Sequence, residues 1–424
     1  MGVTSPAASK VSERLARPFR GIRTLESLHV RDFRLLWITG WCTNGSSWVE
    51  NVVLGWLTFQ VTQSALLTTL SVGVGALPSI VIGPLGGVYI DRWNRQKLLV
   101  ASIAGHAVLT AAFTVVVLVD AVQAWNIFLF ILLNGGVRTL RMVIESSLVA
   151  NTVPSSLITN AFSLFMLTAS ASRFIVPATT GLLIVLIGSG PTLVFATLLY
   201  VLGFVTGLRI ESRQAGGDVD KKSSPVKDLI EAARYLWFEE RRILAIYALP
   251  VMLILFIAPV NIGLMPVYVS EVFDGGPALL GFIVAALGAG MTLGTLLLAT
   301  IGEIRFKARA MVLVLAGTVV GVLVFSQITF LPLALVVVVI YSVLMVMMYV
   351  LANAAVQSIL PDHLRGRVTA LLGVFFIVFP LGTLIVGSLA EEFGAQRAVV
   401  VSATALGATL IAYVTLYRRI WTLQ

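Results

Sequence analysis

Long apolar segments recur along almost the whole chain, and they constrain its fold more than any other feature. Twelve runs of roughly 20 or more mostly apolar residues lie between Leu35 and Tyr417, with short polar stretches between them. Because a helix needs roughly 20 apolar residues to cross about 30 Å of hydrocarbon, each run can span a membrane. Only 12% of the residues are charged and 58% are hydrophobic. The sequence therefore predicts an all-α membrane protein with twelve transmembrane helices.

The predicted spans form two groups of six. We expect them at residues 34–60, 65–90, 98–120, 123–150, 157–188, 191–210, 243–271, 278–301, 309–328, 331–359, 366–390 and 396–418. These positions define a cytoplasmic N-terminal segment (1–33), a six-helix bundle (34–210), a linker with an amphipathic helix (211–242) and a second six-helix bundle (243–424). SALLTTLSVGVGA in the second span resembles PALLGFIVAALGA in the eighth, which indicates pseudo-symmetric halves. Repeated halves are typical of secondary transporters, whose substrate site lies between them.

Basic residues are concentrated on one side of the predicted spans. On that side lie 25 of the 29 lysines and arginines, together with both chain termini. The opposite loops carry acidic residues: Asp120, Glu271, Asp274, Glu391 and Glu392. The positive-inside rule therefore predicts cytoplasmic termini and a multi-pass protein of the plasma membrane, in bacteria the inner membrane. This topology accounts for the net charge of +9, so the charge indicates contact with anionic lipids and no nucleic-acid partner.

Five charged residues fall inside the predicted spans. They are Glu50 in span one, Arg138, Arg141 and Glu145 on one face of span four, and Arg173 in span five. A charge at membrane depth costs a few kcal/mol unless it is paired or hydrated, so each one is a candidate for function. We interpret Glu50 as a proton-binding group whose pairing with Arg138 or Arg141 changes during coupling. An alternative for Arg141 and Glu145 is a static ion pair that only stabilises span four.

The loop after span two, within GGVYIDRWNRQK, resembles the signature G-x-x-x-D-R-x-G-R-R/K of the major facilitator superfamily. The matching residues are Gly87, Asp91, Arg92, Arg95 and Lys97. Asn94 replaces the glycine of the signature, and Gln96 replaces a basic residue. The stretches RDFRLLW (31–37), GLMPVYVSEVFDGG (263–276) and PDHLRGRVTALLG (361–373) are similar to its drug and siderophore exporters, which include macrolide-efflux and enterobactin exporters.

The resemblance implies which residues form the site. In this superfamily spans one, four, seven and ten line a central cavity, so we expect that wall to contain Trp48, Asn51, Trp56, Phe59, Phe256, Asn261, Tyr349, Asn353 and Gln357. Aromatic and amide side chains suit amphiphilic organic molecules. The resemblance also implies that the loop signature forms a conformational latch. Asp91 would pair with the ends of spans four and eleven, with Arg365 or Arg367 as its partner.

The preferred interpretation is a secondary transporter that exports drug-like or siderophore-like amphiphiles by alternating access, through proton antiport, as a monomer. Two alternatives remain open: an importer or flippase of a lysolipid or metabolite, and a membrane receptor or scaffold that does not transport. The sequence contains no P-loop, no cluster of His and Cys ligands and no arrangement typical of nucleophilic catalysis. We therefore expect no enzymatic activity, no bound metal and no cofactor.

Overall fold

A computed structural model of the protein describes residues 23–90, 94–211, 230–231, 233–302, 304, 306–361 and 364–417. Twelve long helices, α1 to α12, cross the bundle within this part of the chain. They are α1 Arg31–Thr62, α2 Ala65–Ile90, α3 Arg95–Leu118, α4 Ala124–Thr152, α5 Ile158–Ile187, α6 Ser189–Leu208, α7 Arg241–Phe273, α8 Pro277–Ile301, α9 Lys307–Gln327, α10 Leu331–Ile359, α11 (Arg365–Val374, Phe375–Ile377 and Val378–Phe393) and α12 Ala395–Leu416. All of them begin and end within three residues of the predicted spans, and the predicted fold class is confirmed.

Eleven of the described helices are long and apolar enough to cross a membrane. The other, α1, is less apolar because polar residues such as Asn44, Glu50 and Asn51 interrupt its hydrophobic sequence. Its 32 residues extend for about 48 Å at 1.5 Å per residue, which is ample to cross the bilayer. The chain is therefore a multi-pass membrane protein, and its least apolar span is the one that contributes most polar groups to the interior.

Helix α7 is irregular at the depth of the bundle centre. It contains Pro250, and between its segments Arg241–Phe256 and Met265–Phe273 it widens into a π-helix at Val260–Leu264. A π-helical turn is uncommon and is often found at functional sites, since it redirects side chains that a regular helix would stack. This turn carries Asn261, one of the predicted cavity residues.

Helices α1–α6 and α7–α12 form two halves that pack together most closely at one end. We call this the acidic end, because Asp120, Asp274 and Glu391 lie in its loops and helix ends; the other is the basic end, where Arg95 and Lys97 begin α3. The halves meet through α5 against α8 and α2 against α11. Glycines allow the helices to approach this closely. A Cβ added at Gly281 would lie only 3.1 Å from the Cα of Gly181, and one added at Gly387 would lie only 3.1 Å from the Cβ of Thr69.

The hydrophobic core also differs between the acidic end and the basic end of the bundle. One large cluster joins the second half to the acidic-end parts of the first half, including Val53 and Leu57 of α1. A separate cluster, which includes Phe33 and Leu148, fills the basic end of the first half alone. A hydrogen-bonded contact adds to the acidic-end closure, since the Glu391 Oε2 accepts from the Leu66 amide at 2.9 Å. The space between the halves is therefore closed by packing at the acidic end.

Candidate functional site

A cavity of about 340 Å³ lies between the two halves at the centre of the bundle. Its wall is mostly apolar and takes residues from both halves: α1, α2, α4 and α5 on one side, and α7, α8, α10 and α11 on the other. A concave, largely apolar space with a few polar groups is the usual form of a small-molecule site. Its position between the two halves makes it the candidate substrate site.

Four predicted cavity residues line this space. They are Trp48, Asn51, Asn261 and Tyr349. Asn261 is held firmly, because its Oδ1 accepts a hydrogen bond from the Tyr341 hydroxyl at 2.9 Å and its Nδ2 lies 3.1 Å from the Met345 sulfur. Asn51 makes no side-chain hydrogen bond with another described residue and is exposed in the cavity wall.

The other five predicted residues lie away from the described lining of the cavity. Trp56 and Phe59 pack edge to face, with ring centroids 6.3 Å apart, and Phe256 packs against the core. Asn353 donates to the carbonyl of Tyr349, and Gln357 donates to the Thr369 hydroxyl of α11. For Trp56 the reason is helical geometry: it lies eight residues after Trp48, so the two side chains point about 80° apart around α1.

A second, smaller cavity of about 50 Å³ adjoins the first and contains Glu50. Four residues line both cavities and form the wall between them: Asn51, Gly55, Val72 and Arg138. A change in the contacts of Glu50 would therefore alter a surface that a molecule in the larger cavity touches. Glu50 and Arg138 thus line the same small cavity, and the pairing between them that the sequence suggests stays a prediction.

The Glu50 carboxylate is 3% exposed and lies among hydrogen-bond donors. Its Oε1 accepts from the Thr110 hydroxyl at 2.5 Å, and its Oε2 accepts from the Tyr200 hydroxyl at 3.1 Å and from the Asn134 Nδ2 at 3.2 Å. These partners belong to α3, α6 and α4, so one side chain links four helices of the first half. A protonated carboxyl group donates a hydrogen bond, so one of the two hydroxyls, which can donate or accept, would have to turn and accept from it. Binding a proton therefore requires this cluster to rearrange.

Arg141 and Glu145 form a buried ion pair within α4, with 3.2 Å between Nη1 and Oε1. Arg141 also donates from Nη2 to the Ser47 hydroxyl at 3.0 Å, and Thr43 donates to the Glu145 carboxylate at 3.1 Å. The Ser47 hydroxyl lies 3.2 Å from that of Tyr200, the residue that contacts the buried carboxylate of α1. The ion pair is therefore joined to the proton-binding candidate by a continuous chain of polar contacts.

Two guanidinium groups face the larger cavity, and its described lining includes no carboxylate. Arg138 is half-buried and makes no hydrogen bond with another described residue. Among the described residues Arg173 contacts weak partners: its Nη1 lies 3.2 Å from the Met291 sulfur, and its Cζ lies 5.7 Å from the centroid of the Trp48 ring. A cation–π contact contributes about 0.5–2 kcal/mol, which is less than the several kcal/mol that a charge costs at membrane depth.

Three partners of Glu50 were not identified from the sequence: Thr110, Asn134 and Tyr200. Each is a polar residue inside an apolar span, and in such a span a polar side chain needs a partner within the protein. That signal flags them as buried, yet it does not say what they contact. Asn134 could have been found more directly, since it lies four residues before Arg138 on the same face of α4.

Most of the predicted latch lies outside the described residues. Asp91 and Arg92 are among these, as are the surroundings of Gly87 and the side chains of Arg365 and Arg367. The described part begins again with Asn94, whose side chain caps α3 by accepting from the Lys97 amide at 3.0 Å. The residue that replaces the glycine of the loop signature therefore has a structural role as a helix cap.

Comparisons with known proteins agree with the fold and point to transport. A family model described as transmembrane secretion effector matches residues 22–422. A multidrug efflux pump, Tap, from Mycolicibacterium fortuitum is 24% identical over 359 residues, which cover 81% of this chain and 85% of the pump.

Solved transporter structures superpose over nearly the whole chain. A variant of the nucleoside transporter NupG has a TM-score of 0.78 at 11% identity, covering 91% of this chain and 99% of that one. A bacterial homologue of the human lysosomal transporter Spinster, in an inward-facing and unoccupied conformation, has a TM-score of 0.72 at 14% identity, covering 92% of this chain and 97% of that one. At these identities the likeness establishes the fold alone.

Proposed function

Since the chain belongs to the family of transmembrane secretion effectors within the major facilitator superfamily, we propose that it exports amphiphilic small organic molecules across the plasma membrane by alternating access, in exchange for protons. The observation that carries this proposal is the central cavity, which both halves line and which adjoins a separate, buried carboxylate. The similarity to a multidrug efflux pump supports export and a drug-like or siderophore-like substrate.

The wall of the cavity supports an amphiphilic substrate. Apolar residues such as Leu287, Ile262 and Phe379 dominate it, while Asn51 and Asn261 offer isolated amides. Apolar surface binds hydrocarbon without demanding a particular shape, and the few polar groups orient the molecule. A sugar would leave many hydroxyl groups without partners on such a wall, and each unpaired buried group lowers affinity.

The closed acidic end supports loading from the cytoplasm. The charge distribution predicts that the basic end faces the cytoplasm, so packing of the halves at the acidic end corresponds to an inward-facing state. A substrate would enter from the basic end, and separation of α5 from α8 and of α2 from α11 would release it on the other side. Rocking of two halves around a central site is the usual form of alternating access in such transporters.

Proton exchange would act through Glu50. Its three donors suit a carboxylate, so a proton bound to Glu50 would require the Thr110 or Tyr200 hydroxyl to turn from donor to acceptor. Because Arg138 lines the cavities of both the carboxylate and the substrate, loss of the negative charge of Glu50 would weaken its attraction for this guanidinium and change the substrate surface. Proton and substrate would then favour different arrangements of one shared wall, which is the requirement for exchange.

Transport by energised, inside-out membrane vesicles tests the direction. Export predicts that a panel of amphiphilic dyes includes members that accumulate inside the vesicles when a proton gradient is imposed, and only when the protein is present. Loss of dye from preloaded vesicles under the same gradient would instead indicate import. No flux of any compound would refute the transport proposal and favour a receptor.

Reconstitution into proteoliposomes tests the role of Glu50. In the variant Glu50→Gln, uphill accumulation driven by a pH gradient should be abolished, because an amide cannot bind and release a proton in this range. Exchange of labelled for unlabelled dye at equilibrium should persist. Thr318→Val is a control for loss of a buried polar group, because the Thr318 hydroxyl bonds only within α9 in the described structure. Uphill transport by Glu50→Gln at the normal rate would refute the assignment.

A further inference from the structure

Arg173 differs from the other arginines within the described spans. Arg141 is paired with Glu145, and Arg138 borders the small cavity that holds Glu50. Arg173 makes no ion pair with a described residue, although it lies in a transmembrane helix and lines the central cavity. Its Nε is buried and has no hydrogen-bond partner among the described residues. The site therefore contains a cation whose donors meet no oxygen acceptor among the described residues.

The surroundings hold this guanidinium at the edge of the cavity. Gly288 of α8 leaves room for it, since a Cβ there would lie 3.0 Å from the Arg173 Cγ and 2.6 Å from its carbonyl oxygen. The Trp48 ring lies on one side and the Met291 sulfur on another. A thioether is a weak acceptor and a ring face carries no lone pair for a second donor, so neither satisfies the planar set of donors of an arginine.

We propose that Arg173 binds the anionic group of an amphiphilic substrate, a carboxylate or sulfonate, and that the apolar body of that substrate lies along Val284 and Leu287 of α8. This inference rests on the proposed function, because it assigns a chemical class to the transported molecule. A guanidinium presents two parallel donors that match the two oxygens of such a group. The Arg173 guanidinium suits the anionic end of such a substrate, and the apolar wall suits its other end.

The charges around the cavity favour an anion over other amphiphiles. Arg138 and Arg173 are the charged side chains in its described lining, and both are positive. A cationic amphiphile would meet repulsion from two sides, and a neutral one would leave the donors of Arg173 unpaired. The carboxylate of Glu50 faces the smaller cavity and contacts Thr110, Asn134 and Tyr200, so it is not positioned as a partner for a cationic substrate.

Binding of matched probes to the purified full-length protein in lipid nanodiscs tests the proposal. The probes share one apolar body: 6-methoxynaphthalene-2-acetate, its uncharged amide and the corresponding ethylamine. We expect the acid to bind at least about tenfold more tightly than the amide, in line with a charge-assisted pair of hydrogen bonds. The amine should bind most weakly. An anionic lysophospholipid as competitor distinguishes a lipid from a small acid as the source of the anionic group.

Variants assign the preference to one residue. Arg173→Gln should reduce the acid-to-amide ratio to about one without weakening the amide more than about twofold, and Arg173→Lys should retain part of the ratio. Phe174→Leu is a matched control, because Phe174 is the next residue of α5 and faces outward. Arg138→Gln should leave a preference for the acid.

Several outcomes would overturn the inference. These are equal or tighter binding of the amide or amine by the wild type, failure of all three naphthalene probes to bind, or loss of the preference in Arg138→Gln but not in Arg173→Gln. Stronger competition by the lysophospholipid that depends on Arg173 would support the anion subsite and identify a lipid as its source. Export of only neutral or cationic dyes would overturn this inference and leave the proposed function intact, whereas absence of all transport would refute the proposed function.

Discussion

The buried Arg141–Glu145 pair provides the sharpest test of how α4 is stabilised. Both side chains are almost fully buried, and their closest charged atoms lie 3.2 Å apart. In Glu145→Met the guanidinium keeps the Ser47 hydroxyl and loses its carboxylate, so a buried charge remains uncompensated. Breaking a buried pair in this way costs about 3–5 kcal/mol. We expect the free energy of unfolding of Glu145→Met to fall by about this amount.

The other variants should behave differently, for reasons found in the same contacts. Arg141→Met should lower the free energy of unfolding by less than Glu145→Met does, because an isolated carboxylate can take up a proton whereas a guanidinium cannot lose one. Replacing both residues with Met should cost less than Glu145→Met by at least about 2 kcal/mol, since no buried charge is left. The hydroxyls of Thr43 and Ser47 keep backbone acceptors in α1, at 3.3 Å and 2.9 Å, so neither becomes unsatisfied.

Unfolding by sodium dodecyl sulfate in mixed micelles, followed by tryptophan fluorescence, measures the four proteins of this double-mutant cycle. Strictly additive losses, or a loss below about 1 kcal/mol for Glu145→Met, would refute the reasoning by indicating that the guanidinium is already hydrated or otherwise paired. Transport by the double variant resolves the remaining alternative. Normal transport would make the pair a static support of α4, and lost transport in a folded protein would make it part of the coupling network.

Two further predictions concern the conformational cycle. Gly281→Ala should disfavour the state with a closed acidic end by about 1–3 kcal/mol, because its methyl group meets the backbone of α5 next to Gly181. Distances between spin labels at the acidic ends of the two halves should therefore lengthen. The control is Gly276→Ala, where an added Cβ meets nothing within 4 Å, and it should leave these distances unchanged. Unchanged distances in both variants would contradict the packing argument. Asp91→Asn should slow transport at least about tenfold while dye affinity stays within about twofold, and a large loss of affinity would count against a latch.

The transmembrane helices were predictable from the sequence because the signal is local. Hydrocarbon excludes unpaired backbone groups, so an apolar run of about 20 residues has essentially one stable form, the helix. This rule located even α1, in which Glu50 and Asn51 interrupt the apolar run. The same physics marked the charged residues inside spans as important, since a charge at membrane depth is costly wherever it lies on a helix.

The roles of those charges depended on contacts between helices that are distant in sequence. Glu50 meets Thr110 and Tyr200 across 60 and 150 residues, and no periodicity within one helix encodes such pairings. Arg138 and Arg141 lie three residues apart on α4 and look equivalent in the sequence. A rotation of about 60° around the helix axis separates them.

The amino-acid sequence alone determined how many times the chain crosses the membrane, which end is basic and which ionisable residues lie at membrane depth. The tertiary structure decided which of these residues are neutralised: Arg141 by Glu145 within α4, and Arg173 by no carboxylate among the described residues. The physical reason is that the two effects depend on different parts of the chain. Transfer from water to lipid is a property of each segment, whereas pairing of charges depends on distances of a few Å that only the packing of helices from both halves sets.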